Sequence, residues 1–328
     1  MMKELLFVNY NIYAKEHVLI NGREGFRDHD TNYFIISSSN KEMVLLEQAA
    51  LAYFLAENGY NHTAIPILTK NNSWFVENDG QQYLVLRVSN LQHSPIESHG
   101  KQLAQFHNIT ASYQYEPQEI SSYGMWKDLW IRKLTAFEHK LQEELKENGN
   151  DYYRLLVDVF PYIIGISENA IQYIQESESE RRFHQADTGV FAFRRYQDNL
   201  IAPVIWTDDL VFDHPTRDIA EYIRYKLLDN NETALEEVYV FIRDYQGVQP
   251  LSIFGWRLLY ARLLFPIHFF DLMEAGFQGK EYERYFYKLE ALLQTQVRYE
   301  KRLNRLFDLL QVNFREYDIP VLHWLEKG

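Results

Sequence analysis

Three carboxylates are the groups in this 328-residue chain best placed to do chemistry: Asp187, three residues after His184, and the adjacent pair Asp208 and Asp209. Carboxylate oxygens hold hard cations such as Mg²⁺, and a positioned carboxylate can take a proton from an alcohol. A second feature is Gly22-Arg23-Glu24-Gly25, two glycines in a short stretch. Such a stretch can bring backbone amides close to a bound anion, but Glu24 would set a negative charge against a phosphate, and the four residues read as a plain hairpin turn.

Other chemistries fare worse. There is no cysteine, which removes disulfides, thiolate nucleophiles and cysteine-ligated metals. The eleven histidines are scattered; His93, His99 and His107 share a region, but the step from His99 to His107 is not the spacing of a helical zinc motif. No GxSxG nucleophile elbow and no GxGxxG loop is present. Glu143–Glu144 reads as a charged face and Glu176–Glu180 as a polar loop. The 24 tyrosines are expected to line a helical core and its rim.

The formal net charge of −13 argues against nucleic acid and against an anionic membrane, because the pairs Arg181–Arg182 and Arg194–Arg195 are too short to form a basic patch. Leu5–Val8 is too brief for a signal sequence, and no stretch approaches the roughly 20 apolar residues of a membrane span. The expectation is synthesis in the cytoplasm without a signal peptide.

The elements that must position these residues divide the chain in two. Residues 1–88 read as a small sheet with one helix: strands at His17–Ile20, Tyr33–Ile36, Ser73–Val76 and Tyr83–Val88, a helix over Lys41–Asn58, and a hairpin turn at Asn78-Asp79-Gly80. Residues 89–328, beyond a connector near Val88–Leu91, read as mainly helical. Helices are predicted at Ser98–Ile109, Met125–Leu145, Tyr152–Gln175, Ala220–Asp229, Ala234–Tyr245, Phe254–Ala275 and Glu281–Leu310. The interruption, about residues 183–218, has strand-like pieces at Val190–Phe193 and Val204–Trp206.

Two segments carry a family resemblance. Gly100-Lys101-Gln102-Leu103-Ala104-Gln105-Phe106-His107 resembles the helix that opens the helical lobe of aminoglycoside-phosphotransferase and choline-kinase-like proteins. Val204-Ile205-Trp206-Thr207-Asp208-Asp209, followed by Pro215 and Asp218-Ile219-Ala220, resembles that superfamily's metal-binding segment, and Phe183-His184-Gln185-Ala186-Asp187 sits where its catalytic loop is written. Leu263-Leu264-Phe265-Pro266 and the tyrosine-rich helical part are similar to the spore-coat kinase-like proteins of Bacillus, the CotS and YutH group. The resemblance implies an α+β, protein-kinase-like fold with a small N-terminal lobe and a larger helical C-terminal lobe.

It also implies where the phosphate-transfer groups should stand: a lysine on the phosphates, a catalytic carboxylate, and Asp and Asn on Mg²⁺. The lysine should end the strand Tyr33–Ile36, where Ile36 and then Ser37 stand; Lys41 already belongs to the next helix. Glu42 or Glu47 could occupy the place of that lysine's usual partner, and without it they read as solvated charges. The catalytic carboxylate, two residues after His184, is Ala186; a register slid by one would supply Asp187 instead. The metal-binding Asn becomes Phe191 or, in the slid register, Ala192, and the metal-binding Asp, twelve residues before Asp218, becomes Trp206. His184 and Asp218 remain as structural anchors, Asp218 capping a helix over Ile219–Leu228.

The expected function is therefore a catalytically degenerate, pseudokinase scaffold or structural component in endospore coat assembly. Its partners would be other spore-coat proteins, with no cofactor, metal or catalytic residue. One alternative is a small-molecule or protein kinase using Mg²⁺ and ATP with a displaced catalytic Asp187 and metal-binding Asp208, aided by Asp209. Another is a non-catalytic ligand-binding module in which Trp206 stacks on a ring.

Overall fold

The computed structural model describes residues 2–38, 41–91, 98–147, 149–179, 184–279 and 281–319. Expectations for His93, Glu180, Arg181–Arg182 and Phe183 lie outside the described residues. Packing divides the chain into two compact units, Met1–Ser122 with Gly189–Asp213, and Tyr123–Thr188 with His214–Gly328. These units do not coincide with a division at residue 88. The segments 99–122 and 189–213 pack with the N-terminal sheet, because β-pairing and helix contacts tie them there.

The first unit is built on a seven-stranded sheet: β1 (Glu16–Ile20), β2 (Arg23–Asp28), β3 (Thr31–Ser37), β4 (Thr63–Ile67), β5 (Val76–Asn78), β6 (Gln81–Val88) and β8 (Ile205–Trp206). The order is β1-β2-β3-β6-β4-β8, with β5 paired to β6, and every pairing is antiparallel except β4 with β8. A separate ribbon joins β7 (Val190–Phe193) to β9 (Leu210–Asp213). Period-two alternation gives the sheet two apolar faces. Phe34, Ala64, Leu84, Leu86 and Val88 cluster on one side with Leu45, Val204 and Trp206. Val85, with Tyr33 and Ile35, meets Leu5, Leu6 and Ile12 on the other.

Two helices cover these faces. Helix α2 (Glu42–Glu57) buries Leu45, Ala49, Leu51, Ala52 and Leu55 and lies against β4. Helix α1 (Met2–Tyr10), not expected from the four-residue run Leu5–Val8, buries Leu5 and Leu6. Each buried leucine contributes about 1.5–3 kcal/mol, enough to hold a nine-residue helix that would not persist alone. Helix α3 (His99–Thr110) packs against β7, its start capped by the Ser98 hydroxyl, which accepts from the Lys101 amide.

The second unit is helical: α4 (Trp126–Glu147), α5 (Asp151–Ser179), α6 (Thr216–Leu228), α7 (Ala234–Gln246), α8 (Ile253–Leu264), α9 (Ile267–Gln278), α10 (Tyr282–Leu309) and α11 (Phe314–Tyr317). Helix α8 is buried from Phe254 to Leu264 and packs on α5 and α6. Three expectations are corrected here. The single helix Phe254–Ala275 is two, because Pro266 has no amide to continue α8. Glu176–Glu180 is no loop as far as it is described, since α5 runs on to Ser179. Asp218 does not precede its helix: α6 starts at Thr216, and Asp218 is fully buried within its first turn.

Candidate functional site

The segment following β7 is drawn into the first unit by its backbone. Strand β8 pairs in parallel with β4, Thr63 opposite Ile205 and Ala64 opposite Trp206. The Ile205 amide donates to the His62 carbonyl at 3.1 Å, and the buried Thr207 hydroxyl donates to the Ala64 carbonyl at 3.0 Å. Trp206 is thereby fixed with its indole edge-on to Phe34, ring centres 4.8 Å apart at 88°. It is 6% exposed, and its Nε1–H has no partner among the described residues.

Arg23 comes to Trp206 from the opposite end of the sheet. The expected four-residue turn at Gly22–Gly25 is shorter than that: Asn21 and Gly22 alone turn, both with positive φ (50° and 74°), and Arg23 already opens β2. Gly25 lies within that strand, where a Cβ would meet the Phe34 ring at 2.6 Å, so its missing side chain allows close approach rather than a loop. The Arg23 guanidinium lies 4.3 Å from the centre of the Trp206 ring. It donates to both Asp208 oxygens at 3.0 and 2.8 Å, and to Asp209 Oδ2 at 3.2 Å. Burial and the neighbouring Asp208 charge push Asp209 above the ordinary carboxylate range, with Arg23 and Arg194 pulling the other way. The two acidic candidates are thus arginine-bound, not free surface carboxylates. The stacking face of Trp206 expected to receive a ring carries this guanidinium.

Beside this cluster is a cavity of about 340 Å³, lined by Asn21, Arg23, Trp206 and Asp209 together with Phe193, Val204 and the stretch Gln197, Asp198, Asn199 and Ala202. All of its lining belongs to the first unit.

The remaining family positions in this unit are apolar by environment as well as by type. Ile36 pairs with Leu84 across β3 and β6 and packs on the cluster that contains Phe34 and Trp206. Phe191 is fully buried, edge-on to Tyr113 at 5.1 Å and to Phe212 at 5.5 Å, while its amide donates to the Thr110 hydroxyl at 3.3 Å. Ala192, the slid-register position, is equally buried in β7. Glu42 is exposed, but Glu47 is not simply solvated. Its carboxylate accepts the backbone amides of Gln118 at 2.7 Å, Glu119 at 3.1 Å and Ile120 at 3.0 Å, a structural cradle that sequence reasoning missed.

Asp187 belongs to the second unit, in a short 3₁₀ turn (Gln185–Asp187) that also holds Ala186. His184 shapes that turn: its amide donates to Asp187 Oδ2 at 2.6 Å, and its Nδ1 accepts from the Ala186 amide at 3.2 Å. Asp187 Oδ1 accepts from the Ser252 hydroxyl at 2.5 Å and pairs with His214 Nε2 at 3.1 Å. Because His214 Nδ1 accepts from the Thr216 amide at 3.1 Å, its proton sits on Nε2, facing the carboxylate. Burial alone would raise the Asp187 pKa; the bonds from His214, Ser252 and His184 outweigh it and hold the group below its ordinary value. The Ser-Asp-His grouping is not a nucleophilic triad. The carboxylate sits between serine and histidine, and the Ser252 oxygen accepts from the Gly255 amide at 2.8 Å, capping α8. Nothing in the types of Ser252 or His214 announced this node, since they lie 65 and 27 residues from Asp187.

Among the described residues no group of three or more His, Asp, Glu or Cys side chains stands together to hold a metal ion, and no helix is long and apolar enough to cross a membrane.

Comparison with known proteins gives a consistent picture. Residues 3–306 match the family model described as "Spore coat putative kinase YutH". The chain is 30% identical to the endospore coat-associated protein YutH of Bacillus subtilis (strain 168), over all of this chain and 99% of that one. Among solved structures it is similar to an aminoglycoside phosphotransferase from Alicyclobacillus acidocaldarius, with TM-score 0.60, 18% identity, and 92% of this chain and 93% of that one covered. A microcompartment-associated aminopropanol kinase gives TM-score 0.57 and 11% identity, covering 94% of this chain and 98% of that one. Those two likenesses show the kinase-like fold. With its family model matched almost end to end, the chain belongs to the spore-coat YutH family.

Proposed function

We propose that this protein is a pseudokinase: a kinase-like fold that transfers no phosphate and serves as a scaffold or structural component in coat assembly, holding other coat proteins. One observation carries the reading. The places of the phosphate-binding lysine and the metal-binding Asp, Ile36 and Trp206, pack in a single apolar cluster. A triphosphate and its Mg²⁺ bring charge that such a cluster cannot solvate, and uncompensated charge in an apolar setting costs several kcal/mol. Two further features support it. Asp208 and Asp209 are already engaged by Arg23, and every carboxylate oxygen of Asp187 is engaged in holding its own turn and α8. The residue set does not fit Mg²⁺·ATP, so no catalytic step is assigned to it. The coat setting comes from the name of the B. subtilis relative and from the family's own.

The test is a thermal-shift titration with Mg²⁺·ATP. Binding at about a hundred times Kd would stabilise the native state by roughly 2.7 kcal/mol, and the expected result is no shift. A clear shift, followed by phosphate transfer that Asp187→Asn abolishes, would replace this reading with that of a kinase with displaced carboxylates.

A further inference from the structure

Helix α2 is apolar on the side that faces water as well as on the side that faces the sheet. Of its 16 residues, only Glu42, Glu47, Gln48 and Glu57 are polar besides the Tyr53 hydroxyl. Gln48 is buried, and Glu47 is taken up by the amides of residues 118–120. The outward stripe is Met43, Leu46, Ala50 and Tyr53, spaced by three, four and three residues so that they share one face. Met43, Leu46 and Tyr53 are 53%, 40% and 50% exposed. Aromatic rings broaden the stripe: Phe54 meets Tyr113 edge-on at 5.0 Å, and Tyr113 meets the exposed Tyr115 at 5.7 Å. A helix apolar all round is ordinarily covered all round, yet this face stands open among the described residues.

The charges beside the stripe select what can cover it. Glu42 and Glu57 stand at its two ends, about 22 Å apart along the axis, and Glu116 follows Tyr115. None of these three has an ion-pair partner among the described residues, while Lys41, at the start of α2, bonds Glu119 at 3.4 Å. A second copy laid along the stripe sets glutamate against glutamate in either direction: Glu42 meets Glu57 when antiparallel, and each meets its own counterpart when parallel. An anionic membrane is repelled by the same carboxylates and by the net charge of −13. We propose that the outer face of α2 docks an amphipathic helix of another protein, whose apolar stripe is flanked by Lys or Arg that meet Glu42 and Glu57. The inference goes beyond the pseudokinase reading and does not depend on it, since a chain that bound Mg²⁺·ATP could carry the same face.

The probe is a fluorescent helical peptide of about 18 residues, long enough to span the stripe, with leucines spaced by three and four and lysines flanking them. It is titrated with the full chain and followed by anisotropy. Two controls stand beside it: the same peptide with glutamate for each lysine, and a scrambled sequence that keeps the lysines but breaks the stripe. The lysine peptide should bind about tenfold more tightly than either control. Leu46→Asp, at an exposed position, should weaken its binding about tenfold. That variant adds a negative charge, so a loss there is a loss of apolar contact and not of attraction. Glu42→Lys combined with Glu57→Lys should reverse the preference between the lysine and glutamate peptides, and it serves as the readout if Leu46→Asp fails to fold. No binding of the lysine peptide would overturn the proposal, as would equal binding of the scrambled one or binding that either folded variant leaves unchanged. So would a dimer of the chain alone in sedimentation, or its uptake onto phosphatidylglycerol vesicles, that Leu46→Asp abolishes, because the face would then belong to a second copy or to lipid.

Discussion

The Arg23–Trp206 cluster and the Asp187 node both handle carboxylates, and they do so in opposite ways. Around Trp206, one guanidinium bridges two adjacent carboxylates that are 30% and 42% exposed, and it lies 4.3 Å over the centre of an indole. Around Asp187, one carboxylate that is 2% exposed takes a histidine, a serine hydroxyl and a backbone amide. The first arrangement is charge against charge at the edge of water, where screening weakens it. The second is a saturated buried network, in which each bond counts because its loss strands a partner. The first ties Arg23 of β2 to the residues that follow β8; the second ties a 3₁₀ turn to the start of α8.

That difference sets the largest expected effect. Asp187→Ala strands the His214 Nε2–H, the Ser252 hydroxyl and the His184 amide together, and should cost about 3–5 kcal/mol in urea unfolding. Asp187→Asn keeps the shape and part of the bonding, so its loss should be smaller, about 1–3 kcal/mol. Since the folded pKa of Asp187 is depressed, its contribution is fully present above the ordinary carboxylate pKa and is lost as pH falls below it. The Asp187→Ala penalty should therefore shrink in strongly acidic solution. An Asp187→Ala protein as stable as wild type at neutral pH would show the node to be dispensable and would erase the contrast with Trp206.

Much of this architecture was legible because it is written locally. Asp79 and Gly80 both take positive φ in the hairpin turn read from their types, and Val190–Phe193 forms a strand over the expected residues. Helix α2 follows from the spacing of Leu45, Ala49, Ala52 and Leu55. What escaped was set by partners far away. Strand β4 contains Pro66, which argues against a strand on sequence alone; Pro66 nevertheless stands opposite Leu86 in the β4–β6 pairing. Leu210–Asp213 becomes β9 through β7, with a further bridge from Ser121 to Phe212. The same holds for the site. The side chains of Ile36, Phe191 and Trp206 offer neither a cation nor an oxygen ligand, and residue type alone says so. Arg23 reaches Asp208 across 185 residues, and no spacing rule reports that.

The next largest effect sharpens the comparison with acid. His62, whose carbonyl anchors Ile205 beside Trp206, has a buried Nε2 without a partner among the described residues. Burial lowers its pKa to about 4. For a base with a depressed folded pKa, stability is full above the unfolded value near 6.5 and falls as pH drops toward 4, by roughly 3 kcal/mol if the shift is fully expressed. Amide exchange at Ile205 should accelerate through that window, and His62→Gln should remove the acceleration. The Asp187 bonds should persist there, because Asp187 stays ionised until the pH is lower still. Equal acid sensitivity at both places would show that the two regions respond as one.

The smallest effect tests the ion cluster. Arg23→Ala should cost about 1–2 kcal/mol, since the pair with Asp208 is part-buried and the stacking on Trp206 adds to it, while the contact with the more exposed Asp209 is discounted for solvent. Arg23→Lys keeps the charge but neither the fork nor the flat face, and should recover less than half of that loss. In Arg23→Ala the Asp209 carboxyl should titrate still higher, because the nearest opposing charge is gone while Asp208 remains. Mg²⁺ added to Arg23→Ala decides what the guanidinium replaces. If the ion restores the lost stability, the two carboxylates form a metal site that Arg23 occupies, and the kinase alternative with Asp208 regains its ground. If it does nothing, the indole and the apolar cluster around it have closed that option whatever the charge beside them.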